Sequence, residues 1–135
     1  IELPDADGAP VRLSTLLAEG PVVLAFYPAD FTPVCTAQAC MLRDRHERLT
    51  EAGYRVVAVS PQGADSHARF RDRHALAQTL LADPDREAIR AFGVAGPLGM
   101  TRRATFLIGP DGLIRDRVVA DLRVGPHRRF VERLT

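Results

Sequence analysis

The sequence has no lysine and no asparagine among its 135 residues, so arginine supplies all 18 of its basic side chains. Against 17 acidic residues this leaves a formal net charge of only +1. A chain with so little excess charge has no broad field to attract nucleic acid or an acidic membrane surface, and we expect neither as a partner. The all-arginine composition indicates a coding bias, and we expect most of these side chains on solvated helix faces.

Long apolar runs are also missing. No stretch reaches the about 18 apolar residues of a membrane-spanning helix, and the N-terminus lacks the basic region and apolar stretch of a signal peptide. The two cysteines are too few for a secreted disulfide framework but suit a redox pair in a reducing cytosol. We therefore expect a soluble, cytoplasmic protein. The chain begins at Ile1 rather than Met, so the question of a targeting segment upstream of Ile1 stays open.

What the sequence does contain predicts one domain over residues 1–135. A chain of this length that is 46% hydrophobic supports one core and leaves no room for a second. Apolar runs at 21–27 and 54–60 indicate two buried strands. The segment between them, about 34–52, is predicted to be a helix that Gly53 ends. A strand–helix–strand order predicts parallel strands with a right-handed connection.

Periodicity and turn residues predict the remaining elements. They are a hairpin around the turn 4–8, a short helix capped by Ser14, an exposed helix over 64–75, a strand over 79–82, a helix over 86–92, a hairpin of 105–108 and 113–120, and a helix over 126–134. The order is that of an α/β domain with a thioredoxin-like fold, in which helices flank a central mixed sheet.

The segment from Phe26 to Cys40 carries the most informative chemistry. It passes from a buried strand through a loop into a helix, where Thr32 is a preferred N-cap and Pro33 a preferred first residue. Cys35 then falls in the first helical turn, where free backbone N–H groups and the helix dipole favour the thiolate, which is the nucleophilic form. The alternative is a buried structural cysteine.

Pro28, Thr32 and Cys35 have the spacing Pro-x-x-x-Thr-x-x-Cys, and the chain here resembles the peroxiredoxins. The similarity continues over essentially the whole chain, with Leu3-Pro4-Asp5 near the start, Cys40 five residues after Cys35, and Arg103 ahead of Thr105-Phe106-Leu107-Ile108. It points to the peroxiredoxin Q, or bacterioferritin comigratory protein, subgroup. The resemblance implies a cofactor-free thiol peroxidase that reduces hydrogen peroxide and organic hydroperoxides to water and alcohols in antioxidant defence.

The resemblance also implies roles for individual residues. Cys35 is the peroxidatic cysteine, Pro28 shields the pocket from water, and Thr32 and Arg103 orient the peroxide and the thiolate. Gln38 matches a family position that holds the arginine network. A guanidinium near the sulfur would also stabilise the negative charge that develops on the departing oxygen. The arginine immediately before Arg103 in the sequence is the competing source of that charge.

Cys40 is the only other cysteine that could react with the sulfenic acid left on Cys35, which a second thiol can convert to a disulfide. In an intact helix the two Cα atoms lie about 8.6 Å apart and about 140° around the axis, whereas a disulfide needs less than about 7 Å. We therefore predict a helical reduced form and a locally unwound oxidised form. The resemblance makes thioredoxin or a similar dithiol the expected reductant. Alternatively, Cys40 is a packed small side chain and an external thiol takes its place.

Two other classes of function stay open on the residues alone. A disulfide oxidoreductase normally uses Cys-x-x-Cys, whereas four residues separate these cysteines. A metal-binding module would use both cysteines and a histidine, but no histidine follows in a placed motif. His46, about 16 Å along the helix axis from Cys35, is expected at a boundary. His67, His74 and His127 are expected on the surface.

The segment Gly93–Thr101 is shorter than the loop that several peroxiredoxins carry over the active-site mouth or in dimer contacts. Substrate size and oligomeric state therefore stay open. We expect a monomer, with a weak dimer as the alternative.

Overall fold

A five-stranded mixed sheet forms the centre of the structure, a computed structural model that describes all 135 residues. In spatial order its strands are β5 (Thr79–Ala82), β4 (Arg55–Ser60), β3 (Val22–Phe26), β6 (Ala104–Ile108) and β7 (Ile114–Val119). Strand β3 pairs in parallel with β4 and antiparallel with β6. The predicted thioredoxin-like arrangement, with a parallel strand–helix–strand unit followed by a hairpin, is confirmed.

Five α-helices, a short 3-10 helix (Pro97–Gly99) and a small hairpin complete the chain. The hairpin strands are β1 (Glu2–Pro4) and β2 (Pro10–Arg12), and the α-helices are α1 (Leu13–Leu17), α2 (Pro33–Glu51), α3 (Ala64–His74), α4 (Glu87–Ala91) and α5 (Gly125–Glu132). The ends of α2, α3, α4 and α5 differ from the predicted ones by at most two residues. The predicted Ser14 cap is wrong, because α1 already begins at Leu13 and its N-cap, Arg12, makes no side-chain capping bond. None of the helices combines the length and apolar character needed to cross a bilayer.

Strand β3 is buried on both faces and separates two hydrophobic clusters. Leu24 and Phe26 face one cluster, which includes Phe106 and Ile89 of α4. Ala25 faces the other cluster, which is built largely from α2, α3 and α5. Side chains alternate along a strand, so a strand covered on both sides reads as the uninterrupted apolar run seen in the sequence.

The strand register brings three distant segments to one edge of the sheet. Phe26, at the end of β3, lies opposite Ala104 at the start of the antiparallel strand β6. In the parallel direction Phe26 pairs with Val59, so the end of β4 reaches the same edge. The loop after Phe26 and the residue before Ala104 therefore emerge side by side.

Candidate active site

The loop over residues 28–32 joins β3 to α2 and sets the position of the cysteine. Thr32 is the N-cap of α2 with an extended backbone, and Pro33 is the first helical residue, as predicted. The Thr32 hydroxyl, however, donates to the carbonyl of Ala29 at 2.9 Å and makes no capping bond. The N-cap side chain therefore does not occupy the N–H groups that the first turn of a helix leaves free.

Cys35 is the third residue of α2 and is only 1% exposed. Both terminal nitrogens of Arg103, Nη1 and Nη2, lie 3.2 Å from its Sγ and donate to it. Because bulk water is nearly excluded, the guanidinium acts on the sulfur through a lower effective dielectric constant than it would at the surface. The structure thus places Arg103 beside the sulfur that the sequence analysis singled out.

Arg103 is fixed by its other hydrogen bonds and is itself 3% exposed. Its Nη1 donates to Oε1 of Gln38 at 2.6 Å, one turn along α2 from the cysteine. Its Nε and its backbone N–H donate to the carbonyl and to Oδ1 of Asp121, each at 3.1 Å. Arg102, the competing arginine, turns to solvent and donates to Oδ2 of Asp121 at 2.9 Å. The hydrogen bond from Arg102 is the main cause that lowers the pKa of Asp121.

Cys40 lies in the same helix but in different surroundings. It is half-buried, both cysteines are free thiols, and α2 runs through both without a break. Cys40 lines an open cavity of about 390 Å³, whose other lining residues are Ala37, Met41, Asp44, Arg45, Arg48 and Arg128. The helix is therefore intact between two reduced cysteines.

Pro28 is half-buried at the start of the loop, and its carbonyl accepts a hydrogen bond from Nε2 of Gln62 at 3.1 Å. Asp30, two residues further on, is 8% exposed and was not singled out in the sequence. An acidic residue between apolar neighbours inside the cysteine segment was the signal that could have drawn attention to it. Asp121 also has apolar neighbours, but it follows the last predicted strand in an exposed turn, outside the cysteine segment, and was not singled out.

The predicted surface positions of His67 and His127 are wrong, because both side chains are 0% exposed. The Nδ1 atom of His67 lies 2.7 Å from Oδ2 of Asp30. In His127, Nδ1 lies 2.9 Å from Oγ1 of Thr105 and Nε2 lies 2.9 Å from a backbone carbonyl of residue 120. Burial lowers the pKa of His127. Each ring is paired with a group from a distant segment, which helical periodicity cannot show.

The other two histidines, His46 and His74, are half-buried. His74 packs edge-on against Phe70, with the ring centres 5.3 Å apart. No group of three or more His, Cys, Asp or Glu side chains is placed to hold a metal ion. The structure therefore offers no ligand set for the metal-binding alternative.

A buried cysteine in the first turn of a helix, beside a buried guanidinium on a thioredoxin-like sheet, is the arrangement of a thiol-based redox enzyme. Residues 1–117 match the model of the AhpC/TSA family, and the chain belongs to this family. It is a peroxiredoxin-type thiol peroxidase with an antioxidant function, as predicted.

Individual relatives agree with this assignment. A candidate peroxiredoxin of Mycobacterium tuberculosis is 43% identical over 129 residues, which cover 90% of this chain and 80% of that protein. The crystal structure of peroxidoxin BcpB from the same species has a TM-score of 0.91 and 36% identity, covering 99% of this chain and 90% of that one. Peroxiredoxin Q of Xanthomonas campestris has a TM-score of 0.90 and 27% identity, covering 99% and 89%. The resemblance to the peroxiredoxin Q and bacterioferritin comigratory protein subgroup is confirmed.

Proposed function

We propose that the protein reduces hydroperoxides through Cys35, that Cys40 resolves the oxidised product, and that thioredoxin or a similar dithiol restores both thiols. The observation that carries the proposal is the pair of hydrogen bonds from Arg103 to the Cys35 sulfur, 3.2 Å each, in a site nearly closed to water. The two guanidinium N–H groups point at the sulfur, where they would donate to the thiolate that attacks the peroxide.

In the first step the Cys35 thiolate attacks one oxygen of the hydroperoxide. A sulfur–oxygen bond forms, the oxygen–oxygen bond breaks, and the departing oxygen takes up a proton to leave as water or an alcohol. Arg103 donates where that negative charge develops, and such donors need no rearrangement during the reaction. The Thr32 hydroxyl gives its hydrogen to Ala29 and keeps lone pairs that can accept one from the peroxide. Pro28 limits the access of water from the loop side.

In the second step the Cys40 thiolate attacks the sulfur of the Cys35 sulfenic acid: the disulfide bond forms, the sulfur–oxygen bond breaks, and the departing hydroxide takes up the proton that the Cys40 thiol gave up and leaves as water. The intact helix holds the Cα atoms too far apart, so residues 33–40 must unwind first. The arginines that line the cavity beside Cys40, among them Arg48 and Arg128, lie outside that segment. Their positive charge favours the approach of an anionic thiolate from the reductant.

Peroxide consumption coupled to thioredoxin tests the proposal with Cys35→Ser and Cys40→Ser. We expect Cys35→Ser to show no consumption above the uncatalysed reaction. We expect Cys40→Ser to consume about one equivalent and then stall until an external thiol is added, because only the resolving step is missing. Mass spectrometry of the oxidised wild type should show the intramolecular disulfide. Undiminished turnover by Cys35→Ser would refute the proposal.

A further inference from the structure

A buried polar cluster joins the loop over residues 28–32 to α3, and no step of the proposed reaction uses it. At its centre are Asp30, which is 8% exposed, and His67 of α3, which is 0% exposed. The Asp30 carboxylate accepts hydrogen bonds from the Tyr27 hydroxyl at 2.6 Å, from the Ser66 hydroxyl at 2.7 Å and from His67 Nδ1 at 2.7 Å. We refer to Tyr27, Asp30, Ser66 and His67 as the loop anchor.

The hydrogen-bond pattern fixes the Asp30 carboxylate against the His67 ring at the centre of the loop anchor. Burial would raise the pKa of Asp30, but the hydrogen bonds from His67, Tyr27 and Ser66 together lower it below its ordinary value, so its carboxylate is ionised. The other ring nitrogen of His67, Nε2, lies 3.0 Å from the carbonyl of Leu81, which can only accept. Each ring nitrogen therefore has a partner from a different segment, and the two contacts fix the orientation of the ring.

The hydroxyl closest to the ring bonds to another side chain. Ser60 Oγ lies 3.5 Å from His67 Nε2, but it donates its single hydrogen to Oε1 of Gln62 at 2.6 Å. It therefore has no hydrogen to offer the ring. The pair is also fully enclosed, since the side chains of Asp30 and His67 are 1% and 0% exposed.

The loop backbone is held from the same side. The Gln62 side chain accepts from the backbone N–H of Asp30 at 2.9 Å and donates to the carbonyl of Pro28 at 3.1 Å. Ala29, between these two residues, accepts the hydrogen bond from Thr32. A continuous path of hydrogen bonds thus runs from α3 and the end of β4 to the N-cap of α2.

We propose that Asp30 and His67 are positioning residues: they hold the 28–32 loop on α3, so that Pro28 and Thr32 keep their places ahead of the helical turn that carries Cys35, and the unwinding of α2 stops at Thr32. This inference rests on the proposed roles of Cys35 and Cys40. Without the anchor, unwinding of α2 would extend into the loop, and the site would have to reassemble before the next peroxide could react. With the anchor in place, the loop over residues 28–32 stays fixed while residues 33–40 of α2 unwind.

The test separates oxidation of Cys35 from formation of the disulfide by stopped-flow measurements on reduced protein. For Asp30→Asn and for His67→Gln we expect oxidation of Cys35 to slow by about 10- to 100-fold, since small displacements of a reacting group have effects of that size. The double variant should be no slower than the worse single one, because the two residues act as one unit.

A matched control is Asp83→Asn. Asp83 is also 1% exposed, but it accepts a hydrogen bond from the backbone N–H of Ile89 at 2.9 Å and holds α4 instead of the loop. We expect this control to lose stability toward urea while Cys35 oxidation stays within about twofold of wild type. An equal loss of rate in the control at equal loss of stability would overturn the proposal.

Hydrogen exchange of the oxidised protein gives a second readout that a purely structural role would not move. In the wild type we expect the amides of residues 36–40 to exchange fast and the amide of Asp30, which donates to Gln62, to stay protected. In the anchor variants the amide of residue 30 should exchange fast as well. If Asp30→Asn fails to fold, Tyr27→Phe and Ser66→Ala each remove a single hydrogen bond and should show the same changes on a smaller scale. Wild-type oxidation rates and loop protection in folded anchor variants would refute the positioning role. Turnover in Cys35→Ser would instead refute the proposed function.

Discussion

The two cysteines share one helix but lie in opposite environments. Cys35 is 1% exposed and accepts two hydrogen bonds from a buried arginine. Cys40 is half-buried at the wall of an open cavity, where the arginines are at least partly solvated. A separation of five residues turns the helix by about 140°, which is enough to move a side chain from the core to the surface. One helix therefore holds one cysteine in a closed site and the other at an open cavity, and only a change in the helix can bring the two sulfurs together.

The largest expected effect concerns the contact between Arg103 and Cys35, which has no counterpart at Cys40. We expect Arg103→Met to lower the rate constant for Cys35 oxidation by about 10²- to 10³-fold, the usual cost of losing a charge-stabilising donor. Stopped-flow oxidation by hydrogen peroxide measures it. Arg102→Met is the matched control, because that neighbouring side chain is bonded to Asp121 and not to the sulfur. Equal losses in both variants would show that general charge, and not the contact with Cys35, carries the effect.

A smaller effect should separate the part of α2 that unwinds from the part that stays folded. Ala37 is exposed and lies between the cysteines, so Ala37→Gly should favour unwinding by about 1 kcal/mol. If unwinding limits resolution, disulfide formation should then become about fivefold faster. Rapid quenching of the oxidised protein followed by mass spectrometry measures this step. Glu47→Gly, at an exposed position beyond Cys40, should lower stability similarly and leave the rate unchanged. If Glu47→Gly formed the disulfide as fast as Ala37→Gly does, there would be no boundary between a part of the helix that unwinds and a part that stays folded.

The smallest effect concerns the pH dependence of stability that the buried His127 contributes. Burial lowers the pKa of His127 in the folded protein, so below about 6.5, the ordinary value for histidine, the unfolded chain gains a proton that the folded chain does not. This contribution to stability is intact above that pH and is lost as the pH falls, by at most about 1.4 kcal/mol per pH unit. Urea unfolding between pH 5 and 8 should show that the free energy of unfolding falls less steeply toward acid pH in His127→Gln than in the wild type. His46→Gln serves as the half-buried control, and an unchanged slope for His127→Gln would contradict the prediction.

The fold could be predicted because its signals are local. The apolar run of β3, the glycine after α2 and the proline and threonine before it each act over a few residues, and they fixed the helix start within one position. The same local signals placed Cys35 in the first turn. Resemblance then identified Arg103 as the partner, which local patterns alone could not distinguish from Arg102.

What could not be predicted depends on contacts between distant segments. Asp30 and His67 are 37 residues apart, and the polar character of each suggested solvent rather than a shared buried site. The hydroxyl of Thr32 bonds to a carbonyl within its own loop instead of capping the helix, because the loop conformation brings Ala29 within reach. Asp121 meets Arg103 only because β6 and β7 pair as a hairpin. Such pairings follow from strand register and loop shape, which the sequence pattern does not contain.

The antiparallel pairing of β6 with β3 also has a practical consequence. Arg103 stands at one end of β6, and the exposed turn after Ile108 stands at the other, about 17 Å away for a strand of five residues. The turn closes on itself through hydrogen bonds from Gly112 to Gly109 and from Gly109 to Leu113. An exposed turn of this kind tolerates added residues. It therefore offers an attachment point for a dye, a surface linker or a fused domain that leaves the cysteine edge of the sheet unobstructed.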